Sequence, residues 1–234
     1  NYNFAEFTNS VALSGTLNKF TYRTAFNQHL SDGLSAVVTD NNEKDMFSKQ
    51  AIDASFGYRF NTALSLNLFG NITETNSEID GYDSNFILAD TPDEFNSKQS
   101  RVGILSTFKY LNGSTRLNAA YSEYEREFIS SFPSTFSSSN FTLDIHNKLV
   151  FDDTFYTVIG LNILESKAVF SKEESLSIAD PYLNLVYVSN FGLNINSGVR
   201  LNNHSDYGTH FVYNLNPSFT IKEVNKGYVK LFGS

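Results

Sequence analysis

The chain has 234 residues, 25 acidic against 17 basic side chains, a net charge of −8, and neither cysteine nor tryptophan. That balance, without any run of Lys and Arg, argues against a phosphate-neutralising surface and a nucleic-acid partner, and the missing cysteines exclude disulfides, thiol nucleophiles and cysteine metal sites. Apolar residues make up only 41%, whereas Asn, Ser and Thr together number 73 and Phe and Tyr number 22 and 13, so a thick conventional core is not expected.

No apolar run approaches the about 18 residues of a membrane helix, and helical periodicity is hard to find. Period-two alternation instead recurs along the chain. Strands are predicted near residues 4–16, 19–31, 48–60, 63–78, 99–110, 115–128, 141–151, 154–170, 182–189, 193–203, 209–221 and 228–233. In the second, Phe20, Tyr22, Thr24, Phe26 and Leu30 share one face, opposite Lys19, Thr21, Arg23, Asn27 and His29. In the third, Ile52, Ala54, Phe56, Tyr58 and Phe60 oppose Asp53, Ser55, Gly57 and Arg59. The same division returns at Leu64 to Ile72, at Leu193 to Leu201 and at Phe211 to Ile221.

The connections alternate in length. Tight turns are predicted at 17–18, 61–62, 111–113, 152–153, 190–192 and 222–227, with longer polar segments at 32–47, 79–98, 129–140, 171–181 and 204–208. This rhythm is that of an all-β, antiparallel up-and-down transmembrane β-barrel, with short turns on one side of the membrane and loops on the other. Phe20, Tyr22, Phe56 to Phe60, Phe108, Tyr110, Phe155, Tyr156, Phe219 and Tyr228 lie near the tight turns, as a girdle at the lower interface requires. A soluble β-sandwich with an aromatic core is the alternative. The number of strands with a polar second face, and the loop rhythm, favour the barrel.

Acidic residues gather in two of the polar segments: Asp40, Glu43 and Asp45 beside Asn41 and Asn42, then Asp80, Asp83, Asp90 and Asp93 around Tyr82. Oxygen-rich clusters suit calcium, although no EF-hand spacing occurs and solvated loops read the same way. Tyr82, Phe86, Phe132 and Phe136, in the same kind of segment, are candidate ligand-binding rings at the outer rim, or else belong to loops without a role. His29, His146, His204 and His210 have no metal-binding spacing and read as lumen-facing polar residues. No nucleophile elbow or phosphate-cradling glycine loop occurs, so neither an enzyme nor a redox cofactor is expected. Four Asn-x-Ser/Thr triplets are explained by the abundance of Asn and Ser.

Residues 213–221, YNLNPSFTI, followed after a turn by Tyr228 to Ser234, YVKLFGS, resemble the barrel of TonB-dependent outer-membrane receptors. Residues 31–50, SDGLSAVVTDNNEKDMFSKQ, resemble a strand-loop-strand of the cobalamin receptors in that family. The resemblance implies a fragment of a larger barrel of about 22 strands closed around an N-terminal plug. Residues 1–234 would then be part of a single barrel domain, a mature or excised piece without plug or final strands, with unpaired edges at Phe4 and Tyr228. It further implies a Gram-negative outer-membrane location in contact with lipid, energised uptake of cobalamin or an iron-siderophore, and a TonB complex acting through the missing plug. By the same likeness Asp40, Asp45, Asp80, Asp83 and Asp90 are candidate calcium ligands. A passive porin-like channel and a soluble extracellular β-domain binding glycans or proteins are the competing readings.

Overall fold

The computed structural model describes residues 5–37, 44–83, 85–222 and 227–234. Phe4, Asp40, Asn41, Asn42, Glu43 and the centre of the last predicted turn lie outside them. Every regular element is a strand: β1 (Glu6–Leu17), β2 (Phe20–Ser31), β3 (Phe47–Arg59), β4 (Leu64–Tyr82), β5 (Leu88–Tyr110), β6 (Gly113–Ile129), β7 (Ser134–Val150), β8 (Phe155–Val169), β9 (Glu173–Val188), β10 (Leu193–His204), β11 (Gly208–Lys222) and β12 (Tyr228–Phe232). They form one antiparallel sheet in chain order. Among the described residues, contacts between elements run only from each strand to the next, so β1 and β12 are free edges and the sheet is an open part of a barrel wall.

Three polar segments predicted as loops are largely strand. Residues 79–98 continue β4 to Tyr82 and start β5 at Leu88, while 129–140 and 171–181 extend β6, β7 and β9. Between β2 and β3 the described residues of 32–46 carry no strand. Past the edge of a bilayer both faces of a strand meet water, so hydrophobic alternation disappears while the backbone ladder continues; the periodicity was the only strand signal there. The expected rhythm of short and long connections is therefore realised as tall strand extensions on one side.

The pairing register carries each face unbroken across the sheet. One row runs Gly15, Tyr22, Phe56, Leu68, Ile104, Ala119, Leu143, Ile163 and Ala179, and rows beside it hold Phe26, Ile52 and Ile72, or Leu117, Ile145 and Leu161. Nothing covers this face among the described residues. Val102 is 60% exposed, and among the described residues the one buried apolar side chain is Ala120, at 6%. A sandwich would bury these rows against a second layer, so they mark a surface made for an apolar surrounding. Of the seven buried strand residues described, six, Gly57, Gly81, Gly103, Ala120, Asp180 and Gly198, register on the opposite, polar face, where side chains converge as they do on a concave wall, and Thr157 alone is on the apolar side.

Aromatic rings cluster at the lower end as expected: Phe20 with Tyr22 at 6.1 Å and with Phe56 at 6.2 Å, Tyr58 with Phe60 at 4.8 Å, Phe108 with Tyr110 at 6.1 Å. Two members of the expected girdle do not belong to it. Tyr156 and Tyr228 register on the concave face, and Tyr156 lies 4.0 Å from the Lys148 ammonium. Their nearness to a turn gave their height but not their side.

Candidate functional site

At the upper rim the 32–46 connection is tied onto the end of β4. The Val37 amide and the Ser35 hydroxyl both donate to Asp80 Oδ2 at 2.9 Å, and Met46 N donates to Glu78 Oε2 at 2.8 Å. Gly33 takes a left-handed φ of 67°, and a side chain there would collide with the Asp45 carbonyl. Two acidic segments far apart in sequence thus meet. Burial pushes the Asp45 carboxyl above its ordinary value, and the charges of Asp80, Asp90 and Glu78 push it further, against one opposing hydrogen bond from the Ala36 backbone. Asp80 Oδ1 and Thr91 Oγ1 are buried there without hydrogen-bond partners among the described residues.

Of the five aspartates proposed for calcium, Asp45, Asp80 and Asp90 are brought into one field. Asp40 lies outside the described residues. Asp83 serves the β4–β5 turn instead: its Oδ1 accepts from the Asn85 amide at 2.8 Å and the Ile87 amide at 2.9 Å, which holds its carboxyl below the ordinary value. Among the described residues no three acidic or histidine side chains converge on a metal-holding point.

The four candidate rings do not form one patch. Tyr82 and Phe86 crown the β4–β5 hairpin, Phe86 being 76% exposed with a φ of 59°, and Phe132 is exposed on the β6–β7 turn. Phe136 instead faces the concave side, where its ring centroid is 6.2 Å from Tyr124 and the Arg126 guanidinium is 5.4 Å from it. A half-buried ring with a cation over its face is the best formed aromatic recognition group at this rim.

Lower on the concave wall a polar network joins β7, β9 and β10. His146 Nδ1 is 2.9 Å from Asp144 Oδ1, the Tyr182 hydroxyl donates to Asp144 Oδ2 at 3.3 Å, and Arg200 lies over the Tyr182 ring at 5.4 Å. Asp180 beside it is 7% exposed, and its Oδ1 has no partner among the described residues. Sequence reading placed His146 and Arg200 on the polar face but missed Asp144, Asp180 and Tyr182 as a group. Alternation marks the face of each strand, and only the register shows which positions on different strands coincide. Guanidiniums, carboxylates and rings of this kind recognise and hold charged and aromatic groups.

No protein-family model matches the chain, and no curated protein matches it. Solved structures do. The siderophore receptor PirA from Pseudomonas aeruginosa superposes with a TM-score of 0.74 at 15% identity over 94% of this chain and 38% of that one. The FrpB iron transporter from Neisseria meningitidis gives 0.67 at 14% over 93% and 42%, and the outer membrane transporter YddB from Escherichia coli gives 0.73 at 9% over 92% and 36%. At these identities the likeness is one of fold: the chain's open antiparallel sheet has the architecture of a stretch of these receptors and transporters. It spans about two fifths of the length of the solved structures it matches.

Proposed function

We propose that the chain is part of the barrel of a TonB-dependent receptor in a Gram-negative outer membrane, and that the intact protein binds and takes up a ferric siderophore. The observation that carries this is the uncovered apolar face on a sheet whose solved counterparts include siderophore receptors, one of them in complex with enterobactin. Lipid covers that face, the concave face looks into the bore, and the TonB complex acts through a plug outside these residues. The role is binding and passage rather than catalysis.

Cobalamin held by calcium-ordered loops is the second reading. The crowding of Asp45, Asp80 and Asp90, with Asp80 Oδ1 and Thr91 Oγ1 orphaned beside them, favours it. Calcium would supply the missing positive charge and accept those oxygens as ligands. Calorimetry of the intact protein with a ferric tris-catecholate and with cobalamin, each with and without calcium, tests both. Heat with the iron chelate supports the first reading, and heat with cobalamin only in calcium supports the second. Heat with neither overturns both.

A further inference from the structure

Asp180 is the one buried charged side chain among the described residues, and it stands in a register row on the concave face. The row runs Asn67, Leu105, Asn118, Asp144, Asn162 and Asp180 from β4 to β9. Arg200 registers with Tyr182 and Asn203 with Ala179, which leaves Asn202 beside Asp180 on β10. The ladder between β9 and β10 lapses at the two intervening positions, next to Pro181, which has no N–H to give. Proline in an interior strand is uncommon and marks a place where regular pairing has been given up.

Two oxygens at this place are orphaned. Asp180 Oδ1 and Asn202 Oδ1 are both buried without a hydrogen-bond partner among the described residues. Arg200 approaches the other carboxylate oxygen, Oδ2, but only to 3.8 Å, beyond hydrogen-bond distance, because its guanidinium is held over the Tyr182 ring. Asp144, two strands away, is already committed to His146 and to the Tyr182 hydroxyl. Tyr182 is fixed in that contact by lying across Gly160, where a Cβ would come within 2.5 Å of its hydroxyl. Buried carboxylates are paired or coordinate a metal, and two acceptor oxygens side by side repel each other unless something positive lies between them.

We propose that Asp180, with Asn202 and Asn162 on either side, holds a calcium ion on the concave wall. Carboxylate and amide oxygens are the hard ligands calcium prefers, and water from the open side completes the about 6–8 it takes. The donors are one carboxylate and two amides rather than three acids or histidines, so no cluster of the latter kind marks the place. A single free carboxylate with Arg200 close by gives weak binding, roughly 10⁻⁴–10⁻³ M, the range of calcium sites in extracellular modules. The crowded aspartates of the rim are elsewhere: Asp80 is near the upper end of β4, roughly 40 Å along the strand from Asn67 in this row. The ion clamps β8, β9 and β10 where the ladder lapses, so it acts on the stability of the wall and does not depend on what the receptor takes up.

The test is hydrogen exchange of β8 to β10 in the intact protein in detergent at neutral pH, with a chelator and with calcium titrated to about 10 mM, ten times the upper end of that range. Calcium should slow exchange there about ten-fold or more, the effect of a ligand at ten times its dissociation constant. Asp180→Asn keeps the shape and gives Asn202 Oδ1 a donor, so it should lose the calcium response without exchanging faster than the chelated wild type. Asn202→Asp adds a second carboxylate and should lower the calcium midpoint about ten-fold, as ligand charge tunes such sites. Asp80→Asn, at the rim, should leave the β8 to β10 response in place. Should Asp180→Asn fail to fold, Asn202→Ala is read in the same way, with a weakened response expected. A folded wild type without a calcium response overturns the proposal, and a proton on Asp180 donated to Asn202 Oδ1 then satisfies the pair. A response that survives unchanged in Asp180→Asn overturns it too, by placing the ion elsewhere.

Discussion

The Phe69 ring lies over Gly103, its register partner across β4 and β5, and fills the space where a side chain would stand. A Cβ on Gly103 would come within 2.3 Å of Phe69 Cζ and 2.8 Å of the Ala119 carbonyl oxygen. The ring can swing aside, but the carbonyl belongs to the ladder and cannot move freely. Arg101 holds the ring from the same face, its guanidinium 5.5 Å away. Gly103→Ala is therefore expected to lower stability by about 1–3 kcal/mol, as overpacking does. The urea midpoint of the intact protein in detergent measures it, and an unchanged midpoint would show slack in the concave wall.

Leu68 and Asn67 are neighbours in β4 with opposite surroundings. Leu68 sits in the middle of the apolar rows between Phe56 and Ile104, and Asn67 faces the concave side, where its amide donates to Ser55 Oγ at 3.0 Å. If lipid covers the first face, Leu68→Arg costs about 2–4 kcal/mol on folding into liposomes, the penalty for a charge near the bilayer midplane. Asn67→Arg should cost markedly less, because it reaches water or a polar occupant. Equal costs at the two positions would remove lipid from the picture.

The two kinds of aspartate at the rim should respond to pH in opposite senses. Asp45 has its pKa raised above 3.8 in the folded loop, so the folded form holds the proton more tightly than the unfolded one. Its contribution to docking of the 32–46 connection is present at low pH and is lost as pH rises from 3.8 through the raised value. Asp83 has its pKa lowered by the Ile87 and Asn85 amides, so its contribution to the turn is present above 3.8 and is lost as pH falls through the lowered value. Hydrogen exchange of the two segments across this range checks both. Asp45→Asn should abolish the first dependence and leave the second.

Sequence reading gave the strands inside the apolar zone and the face each presents, because lipid on one side and a polar bore on the other impose strict alternation. Ile52 against Asp53 and Leu68 against Asn67 are enough to orient β3 and β4. It gave neither the end of β4 beyond residue 78, the upper halves of β5 and β9, nor the role of Asp83. The extensions carry Thr, Ser, Asn and Glu on both faces, and an aspartate that caps a turn has the same neighbours in sequence as one that binds an ion. The meeting of Val37 with Asp80 was not legible, since the sequence marks two acidic segments but the hydrogen bonds joining them depend on register.

Phe136 and Phe132 divide the aromatic ligand hypothesis cleanly. Phe136 is held between Tyr124 and Arg126 on the concave side, pre-oriented, so little entropy is lost when a flat ring of an anionic chelate stacks on it. Phe132 is free at the turn tip, and ordering it would consume much of what its contact supplies. On the siderophore reading, Phe136→Ala should weaken binding of a ferric tris-catecholate by about three- to ten-fold, the worth of one good aromatic pairing. Phe132→Ala should change it by less than about two-fold. Fluorescence quenching titrations on the intact protein resolve that difference. A larger loss at Phe132 would move the ligand out of the bore mouth and onto the turn tips.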